Sequence, residues 1–355
     1  MPRIVAVLFL ALLAVPAFAD GVDDIVQAAL KKQKVPGLTL AVVKDGKVVK
    51  ARGYGLANVE HQVPAKRETV YQSGSVGKMF TAAAVMLLVE DGKLKLDDPI
   101  RTHLPDAPEA WAGVTVRHLL THTAGIRDYD PSVNLKQNYS DDQLLKKAFD
   151  ATAKPTPGEK WAYSNTGYAT LGLLANKVGG QFYGDLLRER VFAPLKMTTA
   201  GIISEEDIVP NRAAGYRLVK GELKNQEWVS PSMNRTADGS LYLTVDDLVK
   251  WDAALGTDKV LKGSSWKEIW TPAKVKGDKT VEYGMGWQLT ARNGHARTHH
   301  GGAWQGFTTY FDRYPDDKLT VIVLCNLAAP AGDPAAIASA VAAEYLPDLA
   351  RKKKE

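Results

Sequence analysis

The sequence predicts an α/β chain of the α+β type: an antiparallel sheet flanked by terminal helices, with a mostly helical lobe inserted between its two halves. Three observations predict it. Strand patterns sit towards the two ends of the chain, over residues 38–50 and 283–324, and turns rather than crossover helices separate them. Helical spacing opens and closes the chain, over Val22–Lys32 and Pro334–Leu346. Most of the prolines and the other helix patterns fall between about residue 60 and about residue 275.

These observations place one domain over residues 20–355. Its α/β lobe comes from about 20–60 and 275–350 and its helical lobe from about 61–274, with a cleft expected where the lobes meet. The chain has 355 residues, 45% hydrophobic and 24% charged, an ordinary composition for a globular protein with a large core. Arg3, the apolar run Ile4–Val15 and the small-residue pattern Ala17-Phe18-Ala19 read as a secretory signal peptide over residues 1–19, cut after Ala19. The mature protein is therefore expected to be exported, periplasmic or secreted, without stable membrane insertion.

Cys325 is the single cysteine, so no intramolecular disulfide can form. It ends the run Leu319–Leu324 and reads as a small hydrophobe on a buried strand. The net charge of +5 includes Arg3. The one basic run, Arg351–Lys354, lacks interleaved aromatics, which argues against a nucleic-acid partner and for a solvated tail.

Taken in order, Val22, Ile25, Val26, Ala29 and Leu30 give the first helix one apolar side. Leu38–Val43 and Lys47–Lys50 are strands joined at Lys44-Asp45-Gly46. The run Met79–Val89 is apolar on every side, the pattern of a helix buried all round, and Asp91-Gly92 stops it. Further helices are expected over Val116–His122, Asp141–Thr152 with Ser140 and Gln143 as a capping box, Thr166–Val178, Gly184–Val191 and Thr244–Leu255. Tyr283–Leu289, Arg297–His300, Gly306–Phe311 and Leu319–Leu324 form the late antiparallel meander.

Three stretches carry chemistry. A helix starting near Ser75 puts Ser75 and Lys78 on one face of its first turn. A serine hydroxyl becomes a useful nucleophile when a nearby base takes its proton, and a lysine amine does this when neutral, a form favoured by burial and by the positive end of a helix. In Tyr163-Ser164-Asn165 an extended backbone turns Tyr163 and Asn165 the same way, a phenol for proton transfer and an amide to hold Lys78. The same residues also read as a helix start, with Asn165 or Thr166 as cap and Tyr163 as hydrophobic staple. His299-His300-Gly301-Gly302-Ala303 ends a strand pattern. There the glycines permit close backbone approach and the Ala303 amide is placed as an oxyanion donor, or the pair forms a plain turn.

In this order, Ser75-Val76-Gly77-Lys78, Tyr163-Ser164-Asn165 and His300-Gly301-Gly302 resemble the S-x-x-K, Y-x-N and H-x-G boxes of the serine β-lactamase-like superfamily. The nearest branch is that of class C β-lactamases, related esterases and DD-peptidases. His118–Gly125, Asp238–Thr244 and Tyr283–Trp287 also look familial. The resemblance implies a β-lactamase/transpeptidase-like fold and a covalent acyl-enzyme. Ser75 is then the nucleophile and Lys78 its base. Tyr163 protonates the leaving group and activates water, and Asn165 orients Lys78 and substrate. The amides of Ser75 and Ala303 form the oxyanion hole, and His300, Gly301 and Gly302 line the substrate side. No metal or cofactor is implied, and the partner is a small molecule or peptide.

One departure bears on substrate. Lysine followed by a hydroxyl residue is usual in the third box of class C β-lactamases and most penicillin-binding proteins, where the pair holds a carboxylate. His300 and Gly301 stand there, which turns the expectation towards esters, D-amino-acid peptides and related amides. A class C-like β-lactamase and a catalytically weak peptidoglycan-binding module are the alternatives. His118 and His122 have the four-residue spacing of a zinc pair but lack the intervening glutamate, so hydrogen bonding at a helix end is the expected role.

Overall fold

The computed structural model describes residues 21–128 and 133–350. The expected leader, residues 1–19, and the basic run Arg351–Lys354 lie outside the described residues.

Among those residues, the main sheet has seven strands. In spatial order they are Gln288–Arg292, His295–Trp304, Phe307–Tyr314, Leu319–Cys325, Gly37–Lys44, Lys47–Asn58 and Val63–Pro64. Every neighbouring pair is antiparallel. The late meander joins the early hairpin in the middle of the sheet, where Leu40 faces Val323 and Val42 faces Val321. Both central strands are covered on two faces, so they are apolar at consecutive positions instead of alternating.

Leu40, Val42, Val321 and Val323 pack against Val22 and Val26 of the helix Gly21–Gln33 and against Ile337 and Val341 of the helix Pro334–Tyr345. Ala41, Ile322 and Leu324 face the other way and belong to a core with Met79, Phe80, Trp251 and Trp287. Cys325 is fully buried, as its strand position implies.

The helix Lys78–Glu90 stands in the second core, buried from Lys78 through Leu88. With apolar contacts on all sides it has no loose face, and truncating one of its leucines to alanine costs about 2–5 kcal/mol. Gly92, at φ 70°, follows the Asp91 cap and takes the left-handed conformation that ends such a helix. Its start differs from expectation. Gly74–Gly77 forms a tight 3-10 turn, and the α-helix begins at Lys78.

Other elements follow the sequence closely. The helix Asp141–Ala151 carries both arms of the Ser140–Gln143 capping box. Helices also span Val116–Leu120, Asn165–Gly179, Tyr183–Leu187 (continued by a wider turn, Arg188–Phe192) and Val245–Asp252, which Thr244 caps. Between residues 60 and 275 lie small sheets and one helix, Gly263–Ile269, that the pattern did not announce. Tyr71–Gln72, Leu241–Leu243 and Gly201–Ile202 form one sheet, and Tyr216–Val219 with Glu222–Asn225 a hairpin. Strands of two to four residues are too short to develop a period-two signal. The first of these sheets aligns Ser73 with Leu241, whose carbonyl accepts from the Ser73 amide at 2.8 Å.

Two late strands also differ. Only Gln288 and Leu289 of the Tyr283–Leu289 run enter the sheet. Gly286, at φ 77°, packs so close to the start of the central helix that a Cβ there would lie 2.7 Å from the Lys78 carbonyl. The strand expected to end at His300 instead continues to Trp304 and carries both glycines inside it.

Candidate active site

Ser75 lies in the 3-10 turn where it presses against the end of the strand His295–Trp304. Gly302 makes this approach possible, since a Cβ there would sit 2.1 Å from the Ser73 carbonyl and 3.0 Å from the Ser75 nitrogen. Gly74, at φ 50°, complements it, with its own Cβ position 2.4 Å from the Ala303 nitrogen. The glycine pair of the third box is therefore a contact surface within a strand, and the alternative of a plain turn is corrected. Ser75 and Ala303 are brought to one spot. Ser75 is partly exposed while Gly74, Val76, Gly77 and Lys78 are buried.

Lys78 Nζ lies 3.1 Å from Ser75 Oγ and 2.7 Å from Asn165 Oδ1, and it also donates to the Asp238 carbonyl. The amide and peptide oxygens are obligate acceptors and take two N–H groups. The third direction, towards Ser75, is left to a hydrogen in the ammonium form or to the lone pair in the amine form. The Nζ also sits 4.9 Å from the Tyr163 ring centroid and 5.3 Å from that of Tyr168. The lysine side chain is fully buried, so these contacts replace the water it loses.

Tyr163 and Asn165 both reach Lys78, as the two-residue spacing implies. The helix cap is neither Asn165 nor Thr166. Ser164 caps the helix Asn165–Gly179, accepting from the Gly167 amide at 3.1 Å, and Asn165 is its first residue. The cap thus lies on the backbone between Tyr163 and Asn165.

Sequence reasoning passed over Asp128. Its Oδ1 accepts from the Asn165 amide at 2.8 Å and its Oδ2 from Asn165 Nδ2 at 3.1 Å, which turns Asn165 Oδ1 towards Lys78. The one signal in the chain was proximity, because Asp128 follows His118–Gly125 by three residues.

His300 is buried behind Tyr163, with ring centroids 6.2 Å apart. Burial and the Lys78 charge pull its pKa down to about 4. On the opposite face of the strand His299 is lowered to about 3 by burial and by Arg297. His118 and His122 do not converge on one point. His118 closes a capping box with Thr115, while His122 meets the Tyr283 hydroxyl at 3.2 Å and the Ser164 amide at 3.1 Å, its ring 4.3 Å from that of Tyr163. Gly301 lies beside the Tyr310 ring and, as a glycine, brings no side-chain hydroxyl to the second position of the third box.

A serine-and-lysine pair thus lies at the seam of an antiparallel sheet and a buried helix. A family model described as Beta-lactamase matches residues 22–345, and the chain belongs to the beta-lactamase family as a serine hydrolase. Penicillin-binding protein 4* of Bacillus subtilis is 29% identical over 318 residues, which cover 83% of this chain and 69% of that protein. The octameric penicillin-binding protein homologue from Pyrococcus abyssi superposes with a TM-score of 0.81 at 30% identity, covering 92% of this chain and 77% of that one. The D-amino acid amidase from Ochrobactrum anthropi SV3, in complex with D-phenylalanine, gives 0.75 at 27% identity, covering 86% and 91%. Among the described residues no helix is long and apolar enough to cross a membrane.

Proposed function

We propose that the protein is an exported hydrolase that cleaves amides, short peptides and esters of D-amino acids through an acyl-enzyme on Ser75. The 3.1 Å contact between Lys78 Nζ and Ser75 Oγ carries the reading. Lys78 takes the hydroxyl proton as Oγ bonds to the substrate carbonyl carbon, and the developing oxyanion is held by the Ser75 and Ala303 amides, each such donor being worth about 3–4 kcal/mol. The C–N or C–O bond then breaks as the Tyr163 phenol protonates the leaving group. Tyr163 later accepts a proton from water, which attacks the acyl carbonyl; the C–Oγ bond then breaks and Lys78 returns its proton to Ser75 Oγ.

Three features support the substrate class. A neutral imidazole occupies the place where a permanent cation would hold a carboxylate. The exposed Asp128 carboxylate on the neighbouring rim suits a substrate ammonium. Trp161, 37% exposed and with its ring 6.4 Å from that of Tyr163, offers an apolar platform for a side chain. The likeness to D-amino acid amidase agrees with this reading, and the Ala17-Phe18-Ala19 pattern supports export.

The test is a panel of D- and L-phenylalanine amides, D-Ala-D-Ala peptides, p-nitrophenyl esters and nitrocefin on the purified mature chain. A kcat/KM for a D-amide or an ester at least about tenfold above that for nitrocefin is expected, with Ser75→Ala inactive on all. Full activity in Ser75→Ala removes the reading. Efficient nitrocefin cleavage selects a class C-like β-lactamase, and labelling without turnover selects a binding module.

A further inference from the structure

His122 and Tyr283, outside the three boxes, join the second box to the third through buried hydrogen bonds. The Ser164 amide donates to His122 Nδ1 at 3.1 Å. A backbone N–H can only donate, so Nδ1 is bare and the His122 hydrogen sits on Nε2. That nitrogen lies 3.2 Å from the Tyr283 hydroxyl, which accepts from it and must send its own hydrogen elsewhere. His300 Nε2 is 3.0 Å away and receives it. On the far side of the ring, His300 Nδ1 lies 2.6 Å from the Gly301 carbonyl, which can only accept. An arrangement with His300 neutral and its hydrogen on Nδ1 satisfies the chain from Ser164 to Gly301 throughout.

We propose that His122 and Tyr283 are positioning residues that lock His300 in the neutral Nδ1–H tautomer and tie the segment bearing Tyr163 and Asn165 to the strand bearing Ala303. The site thereby withholds a cation from substrate carboxylates. The kinetic consequences rest on the acyl-enzyme reading, whereas the proton arrangement does not.

The groups facing His300 agree with the lock. Lys78 faces it from the start of the central helix, Tyr163 from the segment before Asn165–Gly179, and Tyr283 from the bend before Gln288–Arg292. His122 and Tyr168 stand behind Tyr283. On its own strand His299 points to the opposite face, where it meets Thr290 and Tyr310. Protonating His300 would add charge near Lys78 and turn its Nε2–H against the hydrogen arriving from Tyr283.

The experiment is ring nitrogen NMR of His300 in the full mature chain, in wild type, Tyr283→Phe, His122→Gln and Ser75→Ala. Wild type should show the Nδ1–H pattern and no titration between about pH 5.5 and pH 8. Tyr283→Phe deletes the donor to the neutral ring, so the midpoint should rise by about one unit and the tautomers should mix. In that variant KM for a carboxylate-bearing β-lactam should fall about threefold between pH 8 and pH 5.5, while KM for a neutral p-nitrophenyl ester stays flat. His122→Gln keeps an amide donor towards Tyr283 but has no acceptor at the Nδ1 position that Ser164 uses, so kcat should drop with the His300 signal unmoved.

A purely structural Tyr283 would lower stability and every rate together and leave the titration in place, which would overturn the proposal. So would an Nε2–H wild-type ring, or one titrating near pH 6.5. If Tyr283→Phe does not fold, the wild-type tautomer and the His122→Gln kinetics still decide. Ser75→Ala should keep the wild-type pattern while losing turnover, so failure of the hydrolase reading is distinguishable from failure of the lock.

Discussion

Asp128 grips Asn165 at two points, backbone amide and side-chain amide, and the grip decides which end of the carboxamide Lys78 meets. Asp128→Ala releases the side chain to rotate and present Nδ2 to the ammonium. We expect kcat to fall about tenfold with little loss of stability, because Asp128 is exposed. Asn165→Asp keeps the shape but puts a carboxylate against Nζ, which favours the ammonium form and should cost about 10²–10⁴ in kcat. Steady-state kinetics on a p-nitrophenyl ester check both, and unchanged rates in Asn165→Asp would remove Lys78 as the base.

The glycine contact at the nucleophile predicts a steric result. A Cβ at Gly302 would meet the Ser73 carbonyl at 2.1 Å and Thr309 Oγ1 at 2.3 Å, one of them rigid backbone. Gly302→Ala should therefore destabilise by about 1–3 kcal/mol and lose most acylation. Thermal unfolding and the rate of fluorophosphonate labelling measure the two effects. A fully active, equally stable variant would show that the strand and the turn do not press together.

The buried histidines set an acid limit. His300 and His299 have folded pKa values of about 4 and about 3, below the unfolded value of about 6.5, so between those limits the unfolded chain binds more protons. Their stabilising contribution is complete above about pH 6.5 and is lost as pH falls towards about 4, at about 1.4 kcal/mol per pH unit for each ring. His122, lowered well below its usual range by burial and by Lys78, acts in the same direction. Urea midpoints should hold from pH 7.5 to about pH 6.5 and fall from there down to pH 4.5. A shallower slope in His299→Gln would assign one ring's share.

Legibility from sequence followed the length of each pattern and whether its cause was local. Met79–Val89 announced a buried helix because its residues from Met79 through Leu88 share one buried environment. Ser75 and Lys78 were visible because a single turn relates them, and Ser140 with Gln143 because a cap is a local bond. The two-residue strands Tyr71–Gln72 and Gly201–Ile202 were not visible, since distant partners fix them. Asp128 was missed for the same reason: its meaning depends on Asn165, 37 residues away. Gly301 and Gly302 were read as a possible turn because glycine reports closeness without saying whether the neighbour is a turn or another backbone.

The middle place in the sheet goes to a segment synthesised late. Leu319–Cys325 lies between Phe307–Tyr314 and Gly37–Lys44, so the early hairpin waits for a neighbour some 280 residues downstream. A ribosome must emit all of the intervening residues before that gap closes, and until then the Gly37–Lys44 edge stays unpaired. Such delay leaves an open strand edge exposed to mispairing for as long as the partner segment is missing.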